Sequence, residues 1–154
     1  LAIFKNSKAL EIIELQHTRI SNKDRLARFK WLLPSVSEDV KIRDAFMTSL
    51  LQKENREKES WVQTALANIH HPLRQNSSTK HLKSILDTLE EVQLTGDIFF
   101  PKGWLASSIG KYSSKEASEI LTDFLEGNSD YNPILVNKLL QTTDDLIRAQ
   151  KIKK

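Results

Sequence analysis

Apolar residues recur along this chain mostly three or four positions apart, separated by short polar stretches that carry Ser, Asn, Pro or Gly. That spacing lays a stripe along one side of a 3.6-residue helix and predicts amphipathic helices throughout. Residues 8–17 hold Leu10, Ile13 and Leu15 after Ser7. Residues 22–33 follow a cap candidate, Ser21, set Leu26, Phe29 and Leu33 on one face, and stop at Pro34. Ser37 precedes Glu38 and Asp39, acids favoured by the positive end of a helix dipole. It predicts a helix reaching Gln52, with Ile42, Phe46 and Leu50 inward and Met47 and Leu51 in support. After the polar turn Lys53–Glu59, the residues Trp61, Ala65, Leu66 and Ile69 form the next stripe, which ends at His70-His71-Pro72.

The second half repeats the pattern. Ser77-Ser78 is the expected cap for a helix carrying Leu82, Ile85, Leu86, Leu89 and Val92. The rhythm then breaks at Thr95-Gly96-Asp97, followed by the apolar block Ile98-Phe99-Phe100, then Pro101 and Trp104. Neither helical spacing nor strand alternation accounts for that cluster, which suits a connector docked onto a fold or lining a cleft. Gly96 is expected to supply a turn conformation that residues with side chains adopt poorly. Phe100 is expected to be held extended by the proline after it, with Pro101 opening a short helix that holds Trp104, Leu105 and Ile109. Phe99, Phe100 and Trp104 would lock this connector to its surroundings. Ser113 and Glu116 have capping-box spacing for a helix with Ala117, Ile120, Leu121, Phe124 and Leu125, and Gly127 is its expected terminator. Asn132-Pro133 opens the last helix, with Val136, Leu139, Leu140, Thr143, Leu146 and Ile147 inward, and Arg148, Lys151, Lys153 and Lys154 near its end. No segment reads as a strand.

The serines expected to cap, Ser37, Ser77 and Ser113, recur at intervals of 40 and 36 residues. That lies close to the roughly 40–47-residue period of HEAT and armadillo units, although the residues themselves do not repeat. The expected fold is therefore all-α, a HEAT/armadillo-like αα-superhelix with about seven or eight helices filling 1–154 as one domain. A compact bundle is the architectural alternative.

Composition narrows the function classes. A chain of 154 residues can bury roughly 70% of the surface its unfolded form exposes. No apolar run approaches the roughly 18 residues of a membrane span, and no leader pattern opens the chain. Cysteine is absent, which removes disulfides and thiolate metal sites. The net charge of +3 is spread among mixed signs, so a nucleic-acid footprint is not expected. The first residue, Leu1, fits a piece excised or processed from a longer protein.

Catalytic motifs are not found. None of His17, His70, His71 and His81 is followed by Glu, so the H-E-x-x-H zinc helix is missing. Adjacent His70 and His71 would diverge by about 100° on a helix, and histidines closing a helix before a proline suit the dipole better than a metal. The pairs Glu90-Glu91 and Asp144-Asp145 read as solvated charge. Neither a nucleophile elbow nor a P-loop nor a dinucleotide fingerprint occurs.

Four segments in order carry a resemblance: Trp61-Val62-Gln63, His70-His71-Pro72-Leu73-Arg74-Gln75, Leu89 to Pro101, and Leu139 to Ala149. Together they resemble the extreme C-terminus of zinc aminopeptidases of the aminopeptidase N family, particularly bacterial members. The similarity spans about residues 24–150, and the segments starting at His70 and Thr95 are the specific ones. The resemblance implies a helical domain at the end of a larger metallopeptidase, whose zinc ligands and general base lie far upstream. It would be a non-catalytic cap that encloses the active site of an enzyme removing N-terminal amino acids, with the parent's catalytic domain and the peptide substrate as partners. It implies no cofactor in this chain, zinc in the parent, and a bacterial cytoplasmic or periplasmic location left open between the two. His71, Pro72, Gly96, Asp97, Phe99, Phe100, Pro101 and Trp104 would be structural. Arg74 or Lys102 would meet a peptide carboxylate, unless Arg74 ties down helix ends instead. A free-standing HEAT-like scaffold binding protein or peptide, and a nucleic-acid binder with steep salt dependence, are the competing classes.

Overall fold

The computed structural model describes residues 3 and 7–152, which build an all-α protein; Lys153 and Lys154 lie outside the described residues. The chain runs through α1 (Ala9–Arg19), α2 (Lys23–Val36), α3 (Val40–Leu50), α4 (Glu59–Ile69), α5 (Gln75–Ser78) and α6 (Leu82–Asp87). It continues through α7 (Leu89–Thr95), α8 (Phe100–Ser107), α9 (Lys115–Gly127), α10 (Pro133–Thr142) and α11 (Asp144–Ile152), with short 3-10 turns between several of them. Helices α2, α4, α8 and α10 pack in succession, each on the next. Against them lie α3 beside α2 and α4, α7 beside α8, and a second succession in which α6 meets α9 and α9 meets α11.

One core threads both rows. Met47, Leu50, Val62, Leu66, Ile69, Leu82, Ile85, Leu86, Leu89 and Val92 meet Phe100, Trp104, Leu105, Tyr112, Leu121, Leu139 and Leu146. The five apolar residues expected on the stripe from Leu82 to Val92 are all buried, although the backbone divides there into α6 and α7. Elsewhere the stripes rotate. On α3 the buried line is Arg43, Met47 and Leu50, while Ile42 is exposed. On α4 Val62 takes the place expected for Trp61. On α1 Leu10 and Leu15 face solvent and Ala9 is buried.

The caps also differ from expectation. Asn22 rather than Ser21 accepts the amide of Arg25, and Asp39 rather than Ser37 accepts that of Lys41. Ser114 rather than Ser113 accepts that of Ala117. Ser78 is buried and donates to the carbonyls of Ile69 and Arg74, so it caps nothing. Where two polar residues adjoin, the one placed just outside the first turn takes the cap, and neighbour spacing cannot rank them. The intervals between Ser37, Ser77 and Ser113 therefore do not mark a repeating unit.

Helix ends show the same dependence on tertiary partners. α2 continues through Pro34 to Val36. The proline forfeits one backbone hydrogen bond, but the carbonyls exposed after it are taken by arginine side chains described below. α9 ends at Gly127 without a left-handed residue; Asn128 follows with φ −128° and donates its amide to the Phe124 carbonyl at 2.7 Å. The expected last helix divides at buried Thr143, whose hydroxyl donates to the Leu139 carbonyl. Leu135 is buried there, while Leu140 turns outward.

Candidate functional site

The His70–Gln75 segment points inward at His70 and Arg74, while Pro72 and Leu73 are exposed. α4 stops at His70, and the imidazole Nδ1 of His71 accepts the Leu73 amide to open a 3-10 turn with Pro72 in its first position. The turn sends Arg74 back beneath the end of α2. There Nη1 donates to the carbonyls of Ser35 (2.8 Å) and Asn68 (3.4 Å), and Nη2 to those of Val36 (2.9 Å) and Ser37 (3.1 Å). These are the terminal carbonyls a helix cannot satisfy internally, and a guanidinium fork suits them. Arg43 completes the arrangement from α3, donating to the Ser37 and Glu38 carbonyls at 2.6 and 2.9 Å.

His70 is fully enclosed, with Nδ1 2.8 Å from the Tyr112 hydroxyl and Nε2 lacking a hydrogen-bond partner among the described residues. Burial, reinforced by the charge of His81, pushes its pKa down to about 3. It is therefore neutral at ordinary pH and does not act as a cation at the helix terminus, contrary to expectation. Tyr112 is raised well above its ordinary value, chiefly by burial.

The Thr95–Trp104 segment divides into an inward and an outward half. Gly96 has φ −107° and ψ 178°, an extended conformation that any residue adopts, so the expected special turn is not its reason. Space is: a Cβ there would stand 2.5 Å from Phe100 Cδ1 and 2.9 Å from both the Glu59 carboxylate and the Val92 carbonyl. The close approach lets Glu59 Oε1 accept the Asp97 amide at 2.6 Å, tying this connector to α4. Asp97 in turn accepts the Phe99 amide at 2.9 Å, closing a turn that precedes α8.

Phe100 is the first residue of that helix and not an extended one, and Phe100, Pro101 and Trp104 are buried. The Trp104 indole donates to the Ile85 carbonyl at 3.1 Å and meets Phe100 edge-on. Arg56 lies over its face and forms an ion pair with Glu91. Phe99 does not lock anything. It is 77% exposed, flanked by Ile98 at 67% and Leu94 at 84%. Lys102 is exposed on the first turn of α8.

The remaining candidates stay apart. His81 bonds Asp44 at 2.7 Å, and His17 lies beside Phe29. Asp144 pairs with Arg148 at 2.8 Å. Among the described residues no group of three or more His, Asp or Glu side chains could hold a metal ion. Among them, no helix is long and apolar enough to cross a membrane.

The buried arginines Arg43 and Arg56, and the His70–Tyr112 pair, are not anticipated from the sequence. Only Arg43 leaves a trace there, since it shares a face with Met47 and Leu50 at helical spacing. Compared with protein-family models, curated proteins and solved structures, the chain matches none.

Proposed function

We propose that this chain is a non-catalytic cap domain of a zinc metallo-aminopeptidase, one that encloses the active site and gates entry of peptides. Its motifs at His70–Gln75 and Thr95–Pro101 support this role by their resemblance to the end of aminopeptidase N-type enzymes. The observation that carries it furthest is the exposure of Leu94, Ile98 and Phe99 on and beside the motif beginning at Thr95. Nothing in this chain's own packing requires three large apolar side chains there. Exposed apolar side chains gathered in one short stretch suit a protein interface, and their occupant would be the catalytic domain of the parent chain.

The two successions of packed helices are the arrangement expected of a HEAT-like superhelix, the finer fold we assign to it. Such a cap excludes water from the catalytic chamber, which strengthens electrostatic contacts around the scissile bond, and its opening and closing would control release. Zinc would belong to the catalytic domain alone. Lys102, exposed on the first turn of α8, is the better placed cation for a peptide carboxylate, because the Nη atoms of Arg74 are committed to carbonyls.

The reading frame upstream of Leu1 provides the test. It should encode an H-E-x-x-H helix followed by a further Glu ligand, and the parent enzyme should release N-terminal amino acids in a zinc-dependent manner. In that enzyme Lys102→Ala should raise KM for peptides with a free C-terminus and leave amidated ones unchanged. An upstream frame with no metallopeptidase motif would overturn the proposal.

A further inference from the structure

Helix α1 stands apart from the packing of the other helices. It takes no part in either succession, and of its eleven residues only Ala9 is buried. Two largely apolar grooves, of about 350 and 470 Å³, run between it and α2, and both are bordered by Ile13 and Leu33. His17 adds one ring contact, with Phe29. Leu10, Ile12 and Leu15 remain 74%, 39% and 47% exposed. Isolated helices shorter than about 12–15 residues are marginal in water, so this narrow seat on α2 leaves α1 in want of a second surface.

The charges on α1 indicate which surface. At about 100° per residue, Ala9 and Ile13 point toward α2, while Glu11, Leu15 and Arg19 fall on the opposite face, with Ile12 beside them. Glu11 stands four residues before Leu15, and Arg19 four residues after it. Among the described residues neither Glu11 nor Arg19 is in an ion pair. An identical helix laid antiparallel across this face, with the two Leu15 side chains at the twofold axis, sets each Glu11 against the Arg19 of the other copy. A parallel arrangement would oppose Glu11 to Glu11 and Arg19 to Arg19, which is repulsive at both ends.

We infer that a second copy of this chain docks antiparallel on the outer face of α1. The contact is isologous: Leu15 packs on its counterpart, Ile12 flanks it, and two Glu11–Arg19 pairs close the ends. A face about 16 Å long buries less than a standard interface, so the dimer is a weak one, with Kd on the order of 100 µM. The dimer does not depend on the cap role proposed above.

Sedimentation equilibrium of the full 154-residue chain, from about 10 µM to about 1 mM, measures the association. A monomer–dimer equilibrium is expected. Leu15→Glu puts a good helix former at an exposed site and should weaken the dimer by about tenfold or more without lowering Tm. Glu11→Arg leaves a cation at both ends of the face, and Arg19→Glu leaves an anion at both ends. Each of these proteins alone should dimerise several-fold more weakly, and an equimolar mixture of the two should recover the original affinity. Mixing would not repair a damaged helix, so recovery separates a lost contact from a lost fold. A chain that stays monomeric to about 1 mM would overturn the dimer and leave the face to a different occupant. A dimer indifferent to Leu15→Glu would overturn it equally, and charge variants that fail to recover on mixing would overturn the antiparallel arrangement.

Discussion

The two motif segments solve opposite problems. His70–Gln75 turns inward at its two polar anchors and leaves Leu73 exposed between them: His70 is sealed against Tyr112, and Arg74 uses four hydrogen bonds on carbonyls near two helix ends. Thr95–Trp104 is inward only at Gly96, Phe100, Pro101 and Trp104, and presents Ile98 and Phe99 to solvent. In the first segment the anchors His70 and Arg74 are explained by the fold that contains them. The second is explained only in part, because its outward residues add nothing to this core. Burial thus separates the residues of a motif that build this domain from those that do not.

The sharpest test of that division lies within the second segment. Trp104→Ala removes the largest fully buried side chain together with its bond to Ile85. It should cost about 3–5 kcal/mol in urea unfolding. A loss below about 1 kcal/mol would show that the inward half is not anchored as described.

The inward character of the first segment predicts an acid-labile fold. His70 titrates at about 3 when folded and near its ordinary 6.5 when unfolded. The unfolded chain therefore binds the proton first as pH falls. This contribution is complete above about pH 6.5 and declines toward pH 3, by at most about 1.4 kcal/mol per unit. The pH dependence of the urea midpoint measures it, and His70→Gln should flatten the slope in that window. Arg74→Met should cost about 2–4 kcal/mol by leaving the α2 carbonyls unpaired in a buried setting. Amide exchange near the end of α2, at residues 35–37, should accelerate in that variant more than in α9.

Much of this fold is legible in the sequence, and the failures share one cause. The stripe Leu82-Ile85-Leu86-Leu89-Val92 is read correctly because apolar spacing reports burial directly. Asn132-Pro133 is read correctly because cap and proline agree, and Asn132 accepts the Ile134 amide. Pro34 misleads because local rules end a helix there, whereas Arg74, remote in sequence, satisfies the carbonyls beyond it. Gly96 misleads in the same way: its requirement is the proximity of Glu59 and Phe100, which no dihedral preference announces. Phe99 and Phe100 are adjacent and chemically alike, and only the start of α8 decides that one is exposed and the other buried. Of the two candidate carboxylate contacts, the sequence cannot tell that Arg74 is enclosed while Lys102 is open.

Gly96→Ala probes a smaller effect. The added methyl must displace Phe100 or part the connector from α4, at a cost of about 1–3 kcal/mol. If the Glu59–Asp97 contact is what the glycine protects, Glu59→Gln in that background should add little, since the two losses share one contact.

The smallest expected change in stability is also the one that discriminates most. Phe99→Ser combined with Ile98→Ser alters two side chains that are mostly in water, so the urea midpoint of this chain should stay within about 0.5 kcal/mol for each substitution. On the cap role proposed above, the same double variant should lose association with the catalytic domain that role requires, by a factor that Trp104→Ala, corrected for unfolded protein, does not reproduce. Stability and association would then respond to different halves of a ten-residue stretch. A double variant that unfolds the chain would place Phe99 in the core after all, and one that leaves both stability and association untouched would remove the reason for assigning that surface to an interface.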